Sequence, residues 1–149
     1  WTKGDPAAWA LRRRIGREHP GFLDVFHNVR LTYEAQNDIY NRSKINVNTH
    51  RNESAGSCNT RVFEILGAGG FQLCDGNPIV EEHFSTGEHL DIYRNVSELE
   101  EKILYYLRHE NERRKVARQG SALTRAEHRF QDRVRAILSS LEIKPPKDV

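Results

Sequence analysis

Hydrophobic positions along the chain follow two spacings, one typical of helices and one typical of short strands. Apolar side chains recur at helical spacing over long stretches, and short apolar runs bounded by turn residues fall between them. Strands that alternate with helices indicate a mostly parallel sheet with helices packed on it. The pattern therefore predicts an α/β domain. Strands are predicted at 22–26, 44–48, 71–75 and 90–93, and helices at 6–18, 32–40, 60–66, 79–84, 97–107, 110–119 and 122–141.

Capping signals mark two of the helix starts. Asp5 followed by Pro6 suits the N-cap and the first position of a helix. Ser97 precedes Glu100 by three residues, the spacing of a capping box, which predicts that a helix opens at Ser97. One stripe of that helix is expected to be buried: Leu99, Ile103, Tyr106 and Leu107.

Length and composition are typical of one folded domain. The chain has 149 residues, of which 37% are hydrophobic and 30% charged, and no apolar run approaches the ~20 residues of a membrane span. We predict one domain at 1–143 and a flexible tail at 144–149. The chain lacks methionine and starts at Trp1, so we expect a fragment of a longer protein. Its two cysteines lack Cys-x-x-Cys spacing and fit two buried thiols in a reducing cytoplasm.

The charge of the chain gives no preference for nucleic acid. Net charge is only +2, although residues 108–135 hold nine Lys and Arg against four acidic residues. Helical spacing spreads these cations, and no aromatic platform for stacking bases lies among them. We expect a solvated helix face, with a nucleic-acid patch as the less favoured alternative.

The stretch from 44 to 75 reads as strand, polar loop, helix, glycines and strand. In an open parallel sheet, ligands bind outside the C-terminal ends of the strands. The loop at 49–59 lies at such an end and leads into a helix that Asn59 or Thr60 can cap. The free N–H groups and the dipole of that helix suit a phosphate. The predicted phosphate-binding residues are Ser57, Asn59, Thr60 and Arg61.

Polar residues of the strand before this loop are candidates for the cleft. Asn46 and Asn48 share one face of the predicted strand, whereas Ile45 and Val47 share the other. A polar face is unusual beneath a covering helix unless it lines a cleft. A loop histidine is often an ordinary surface residue, but the position of His50 after the strand favours contact with a ligand. The predicted site therefore includes Asn46, Asn48 and His50.

Glu64 is an acidic residue between apolar neighbours on the predicted helix. Arg61 lies three residues before it, so an ordinary ion pair on the helix surface is one interpretation. The other is functional, because an acidic residue is the usual partner of a ribose diol in nucleotide sites. In that interpretation Glu64 binds ribose and Arg61 lies near the phosphates.

The order of these motifs resembles the CgeB-like glycosyltransferases, which are relatives of the group-1 glycosyltransferases. The resemblance covers about residues 33–138, and the ordered series is more specific than any single motif. The segments that carry it are 37–48, 59–64, 67–70, Tyr93, 98–107, Arg113 with Arg114, Gly120, 127–130 and Arg133.

This resemblance implies the GT-B fold, in which two Rossmann-like domains face a cleft, and makes the chain the C-terminal, three-layer half. That half holds a nucleotide-diphosphate sugar, with the diphosphate at a helix N-terminus. Glu64 falls at the place of the family glutamate that binds the ribose. Many members carry a second glutamate eight positions earlier, near the donor sugar, and here that position is Gly56.

The resemblance thus implies the donor-binding domain of a hexosyltransferase-like enzyme that transfers a sugar from a nucleotide to an unknown acceptor. The acceptor site would belong to an N-terminal domain outside this chain, so the isolated domain is expected to be inactive. No cofactor or metal ion is expected, because helix dipoles and basic side chains offset the diphosphate charge. We expect a cytoplasmic protein that meets a membrane only through a lipid acceptor.

Two other interpretations compete with this one. Gly56 in place of the second glutamate favours a non-catalytic binding module that keeps the fold and has lost transferase activity. A receiver-type signalling domain would need an acidic pair after its first strand and an aspartate after its third. Asp24 and Asp75 do not form that pattern.

Overall fold

The computed structural model describes residues 6–22, 30–50 and 57–141. Contacts between Cα atoms divide the chain into two units, residues 1–32 and 33–149. A single domain with boundaries at 1–143 stays a prediction. The predictions that concern Asp5, 23–26, Gly56 and 144–149 fall outside the described residues.

The described part of the first unit contains a helix, α1 (Pro6–Glu18), and a 3-10 turn, Pro20–Phe22. Proline fits the first helical position because the N–H that it lacks would have no partner in the first turn. The helix ends before Pro20, since the residue that precedes a proline disfavours the helical conformation. The helix agrees with the prediction, whereas Phe22 belongs to the turn and not to the predicted strand.

The second unit alternates strands with helices, as the sequence predicts. Its described elements are α2 (Tyr33–Arg42), β1 (Asn46–Asn48), α3 (Thr60–Gly67), β2 (Gln72–Asp75), α4 (Pro78–His83), β3 (Asp91–Tyr93), α5 (Val96–Arg108), α6 (Glu110–Glu127) and α7 (Phe130–Ser140). The strands form a parallel sheet in the order β1-β2-β3, with Val47 opposite Leu73 and Leu73 opposite Asp91. The predicted α/β fold with a parallel sheet is confirmed.

Helices cover both faces of this sheet. On one face, Cys74 and Ile92 pack with Leu66 of α3 in a buried cluster. On the other face, Leu73 packs with Tyr106 of α5 in a second cluster. Alternate residues of a strand point to opposite faces, which explains why neighbours in β2 belong to different clusters. The sheet is therefore the middle of three layers, as in a Rossmann-like domain.

The cap of α5 is Asn95 and not Ser97, so the predicted start of this helix is wrong. The Asn95 side chain accepts a hydrogen bond from the backbone N–H of Glu98 at 2.9 Å. Asn95 and Glu98 have the same spacing as the predicted pair, and asparagine caps a helix as well as serine does. Sequence spacing alone does not separate the two starts.

The buried stripe of α5 is shorter than predicted. Tyr106 is buried, and Leu99 and Ile103 pack against its cluster, but Leu107 is 46% exposed. One residue along a helix turns the side chain by about 100° around the axis. Leu107 therefore points away from the core that Tyr106 enters.

The helices α6 and α7 meet at a different point from the predicted one. α6 continues through Gly120 to Glu127 and α7 begins at Phe130, so the predicted boundary near 120–121 is wrong. A Cβ atom at Gly120 would overlap the carbonyl oxygen of His89. The glycine therefore permits close packing inside a continuous helix and does not mark a helix end.

α7 has an exposed apolar face. Phe130 and Ile137 are 81% and 58% exposed. Arg133 of the same helix lies 4.7 Å from the centre of the Phe63 ring, a cation–π contact of ~0.5–1 kcal/mol at an exposed site. Of the helices that the structure describes, none combines the length and the apolar character needed to cross a membrane.

Gly120→Ala is expected to lower the free energy of unfolding by about 1–3 kcal/mol, because the new methyl group must push α6 away from His89. Gly67→Ala is the matched control, since a Cβ there would meet only Thr124 Cγ2, at 3.9 Å. Its effect should stay within about 0.5 kcal/mol. Urea unfolding followed by circular dichroism measures both variants. Equal stability of the two would contradict the close packing of α6.

Candidate functional site

The C-terminal ends of the strands bring polar residues to one edge of the sheet. β1 ends at Asn48, β2 at Asp75 and β3 at Tyr93. Because the strands are parallel, these residues lie at the same edge, which is where open α/β sheets bind ligands. Asn48 and His50, two of the predicted site residues, are both here.

Two asparagine side chains join this edge to the N-terminus of α3. Asn48 Nδ2 donates to Asn59 Oδ1 at 3.0 Å, and Asn59 Nδ2 donates to Asn48 Oδ1 at 3.2 Å. Asn59 also caps α3, since its Oδ1 accepts from the backbone N–H of Val62 at 3.3 Å. Asn48 is fully buried. The pair therefore fixes the first turn of α3 against the end of β1, and Asn59 is confirmed as the cap.

Arg61 extends from the first turn of α3 over the same pair. Its Nη1 lies 3.5 Å from Asn48 Oδ1, a weak hydrogen bond at the long end of the range. Burial first, and the charge of Glu64 second, raise the pKa of Tyr40, whereas the nearby Arg61 guanidinium opposes this rise. Arg61 therefore places a positive charge between the strand edge and α2.

Glu64 lies one turn further along α3 and is exposed. Its Oε2 accepts a hydrogen bond from Gln36 Nε2 of α2 at 2.8 Å. The same Gln36 nitrogen lies 2.9 Å from the Tyr40 hydroxyl. The described partner of Glu64 is thus an amide of the neighbouring helix, and the alternative of an Arg61–Glu64 surface pair gains no support.

A groove of about 440 Å³ lies between α2 and α3, beside Glu64. This volume falls within the range of about 300–1,000 Å³ that is usual for small-molecule sites. Tyr33 in its wall is 84% exposed and offers a flat aromatic surface. The aromatic and polar lining includes Tyr33, Gln36, Tyr40, Phe63 and Glu64.

His50 follows β1 and makes two polar contacts with the side chain of Asp75 at the end of β2. The backbone N–H of His50 donates to Asp75 Oδ2 at 2.8 Å, and His50 Nδ1 lies 2.6 Å from Asp75 Oδ1. The imidazole is only 5% exposed, so His50 is not an ordinary surface histidine. Its other nitrogen, Nε2, is buried and has no hydrogen-bond partner within the described part of the chain.

Cys74 lies beside this pair. The donor atoms of His50, Cys74 and Asp75 lie within 4.8 Å of one another, a group that a metal ion can use. Burial first, and the charge of Asp75 second, raise the pKa of the Cys74 thiol far above its usual value. A metal binds the thiolate, so this protonated thiol is poorly prepared as a ligand. Both cysteines are free, as predicted; Cys74 is buried, whereas Cys58 is only half-buried.

Tyr93 connects the outer strands across the end of β2. Its hydroxyl donates to the backbone carbonyl of Asn48 at 3.1 Å and lies 2.7 Å from Thr49 Oγ1. Burial raises the pKa of Tyr93, and the hydrogen bond with Thr49 opposes the rise. The phenol therefore stays protonated and uncharged, and its hydrogen bonds hold the end of β1 in place.

The other predicted residues occupy different places. Asn46 lies at the opposite end of β1, where its Nδ2 donates to the carbonyl oxygens of Tyr40 and Phe71 at 3.0 and 3.1 Å. It holds backbone segments together and does not join the residues at the C-terminal edge. Ser57 and Thr60 are exposed beside the N-terminus of α3.

Sequence reasoning missed Asp75, Tyr93 and Gln36. The signal for Asp75 and Tyr93 is their position at the ends of predicted strands, which places them at the same edge as Asn48. Gln36 gives no signal of its own, because it reaches Glu64 across 28 positions of sequence.

A second groove, of about 550 Å³, lies at the N-terminal ends of the strands. Five of its eleven lining residues are cations: Arg42, Lys44, Arg113, Arg114 and Arg118. Glu110 lies among them, and a hydrogen bond from Arg114 is the first cause of its lowered pKa. The cations of this groove suit an anion, and the groove lies at the edge of the sheet opposite the candidate site.

Comparison with known families places this chain in a class. The family model described as "Glycosyl transferase-like" matches residues 7–139, which is most of the chain. The chain belongs to this glycosyl transferase-like family. No curated protein and no solved structure matches the chain.

Asn59→Ala is expected to lower the free energy of unfolding by about 2–4 kcal/mol, because it removes a helix cap and the partner of the buried Asn48 amide. Asn95→Ala is the control: it removes only an exposed cap, at a cost of about 1 kcal/mol. Urea unfolding curves of the two variants give the difference. Equal losses of stability would mean that the Asn48–Asn59 pair contributes no stability beyond that of the helix cap.

Proposed function

We propose that this chain binds the nucleotide-diphosphate sugar that a glycosyltransferase uses as its donor. The main support is the Glu64 carboxylate, which is exposed at the groove between α2 and α3 and oriented by Gln36. Family membership gives glycosyl transfer as the class of reaction. A helix N-terminus, a cation and an acidic residue in succession match the phosphate and ribose groups of such a donor.

Glu64 accepts hydrogen bonds from the ribose hydroxyls in this proposal. An ionised carboxylate has two oxygens that only accept, which matches a diol with two donors. Gln36 uses one lone pair of Oε2 and leaves the others for the ligand. The base would occupy the adjacent groove, where the exposed ring of Tyr33 offers a stacking surface.

The first turn of α3 binds the diphosphate. N–H groups in a first helical turn lack partners within the helix, and the helix dipole favours negative charge there. Arg61 adds a positive side chain at this end. Ser57, Asn59 and Thr60 are small enough for a phosphate to approach the backbone. Because the dipole and the guanidinium offset the charge, the proposed site needs no metal ion.

Transfer of the sugar needs an acceptor site, which we assign to an N-terminal domain of a GT-B enzyme. The CgeB-like glycosyltransferases are the proposed subfamily, with hexosyl transfer to an acceptor not yet identified. The chain alone should therefore bind the donor without transferring the sugar. A cytoplasmic location, and contact with a membrane only through a lipid acceptor, stay predictions.

Calorimetric titration with UDP, GDP and ADP tests the proposal. The protein is expected to bind one of these diphosphates, and Glu64→Gln should weaken that binding about tenfold, or about 1.4 kcal/mol, because the amide offers one acceptor oxygen instead of two. The variant keeps the size of the side chain and an acceptor for Gln36, so the fold should be unchanged.

Glu100→Gln, on the exposed surface of α5, makes the same chemical change outside the groove and controls for net charge. Its affinity for the diphosphate should equal that of the wild type. A folded wild-type protein that binds none of the three diphosphates would contradict the proposal, and so would equal losses in the two variants.

The alternative is a binding module without transferase activity. It is favoured by Gly56, which stands where many relatives have a glutamate near the donor sugar. The enzyme proposal expects the full-length protein to release the diphosphate when donor and acceptor are both present. The module would bind the nucleotide and release nothing with any donor.

A further inference from the structure

We propose that His50 and Asp75 form a recognition pair for a hydroxyl group of the donor sugar. His50 Nε2 accepts a hydrogen bond from the sugar, and Asp75 is the positioning residue that orients the imidazole. This inference rests on the proposed function, because it assigns the sugar end of the ligand whose nucleotide end lies at α3.

The pair is placed by adjacent parallel strands. β1 and β2 pair with Asn48 opposite Cys74, so the residues that follow these positions leave the sheet side by side. Asp75 is the last residue of β2, and His50 lies two residues beyond the end of β1. Both side chains are therefore at the edge where parallel sheets bind ligands.

The contacts determine which nitrogen of His50 carries the proton. An ionised carboxylate can only accept hydrogen bonds. Asp75 Oδ2 accepts from the His50 backbone N–H at 2.8 Å, and Oδ1 lies 2.6 Å from Nδ1, so Nδ1 carries the proton. We assign the neutral ring, in which Nε2 has a free lone pair. Asp75 thus prepares Nε2 as a hydrogen-bond acceptor.

Nε2 has no hydrogen-bond partner for that lone pair among the residues that the structure describes. The side chain is 5% exposed, and Nε2 is buried without a hydrogen bond to any described residue. Leaving a buried polar atom unpaired is destabilising, because the atom loses its hydrogen bond to water. Native proteins keep few such atoms, and each calls for an explanation. A hydroxyl group of the ligand is the partner that we assign.

A series of contacts leads from His50 to the proposed phosphate site. Asn59 caps α3 and bonds to Asn48. Asn48 Nδ2 lies 3.9 Å from Cys74 Sγ, and this sulfur lies 4.0 Å from His50 Nδ1. The imidazole therefore belongs to the same cluster as the N-terminus of α3. A sugar joined to a diphosphate at that helix lies close to this cluster.

A metal ion held by His50, Cys74 and Asp75 accounts for the unpaired Nε2 less well than a ligand hydroxyl does. A metal ion on Nδ1 would take this atom away from Asp75 and would leave Nε2 without a partner among the described residues. It would also require the buried Cys74 thiol to lose its proton, although burial raises its pKa. The hydroxyl assignment uses Nε2, which lacks a hydrogen bond to any described residue.

The test compares a nucleoside diphosphate with its glucose conjugate by calorimetric titration. The probes are UDP with UDP-glucose, GDP with GDP-glucose or ADP with ADP-glucose, according to which diphosphate binds the wild-type protein. His50→Phe keeps an aromatic ring and removes Nε2. We expect a loss of about three- to tenfold for the glucose conjugate and less than about twofold for the free diphosphate.

Asp75→Asn tests the positioning role. Its amide can donate to Nδ1 and move the ring proton to Nε2, so the same selective loss is expected. The ¹⁵N chemical shifts of the imidazole report the tautomer, which a purely structural role would leave unchanged. His109→Phe is the control, because this exposed histidine lies at the C-terminus of α5. It should change neither affinity.

Equal losses for both ligands in His50→Phe would mean a structural role and would overturn the proposal. Unchanged affinity for the glucose conjugate would overturn it as well. Saturable binding of Zn²⁺ that shifts His50 Nδ1 and is lost in Cys74→Ser would replace it with a metal site. If the folded wild-type protein binds no diphosphate, the proposed function fails first and this inference fails with it.

Discussion

The reciprocal amide contact between Asn48 and Asn59 is the interaction on which the candidate site depends. β1 has three residues and its ladder pairs it with β2, so side chains must fix the position of α3 against its end. Each amide has a donor and an acceptor, and the two groups satisfy each other only in one relative orientation. The contact bridges 11 positions of sequence and sets the first turn of α3 against the strand ends. The positions of Arg61 and Glu64 relative to His50 follow from it.

The site that results has two ends of different character. Glu64 is exposed and is oriented by an amide from α2, whereas His50 is buried and is oriented by a carboxylate from β2. Hydrogen bonds at an exposed end add modest affinity and little selectivity, because water competes for both partners. A buried, unpaired acceptor discriminates more strongly, because a ligand without the matching hydroxyl leaves it unsatisfied. In the proposed donor complex, the nucleotide would supply most of the affinity and the sugar end most of the selectivity.

Local features of the fold could be predicted from the sequence, and contacts between distant segments could not. The strand at 71–75 and the Asn59 cap follow from apolar spacing and turn chemistry, which act over a few residues. The continuity of α6 through Gly120 depends on the His89 carbonyl, which no local pattern reveals. The candidate site divides in the same way: a strand end predicts the place of His50, but its Asp75 partner lies 25 positions away.

The most direct measurement is a map of backbone amide chemical shifts as a nucleoside diphosphate is added to the ¹⁵N-labelled protein. A donor site at α3 predicts that the largest changes fall on residues 60–64 and on Gln36, and that they saturate together. The cationic groove around Lys44 and Arg114 is the competing anion site at the opposite edge of the sheet. The largest changes there, with residues 60–64 unaffected, would contradict the assignment of α3 as the donor site.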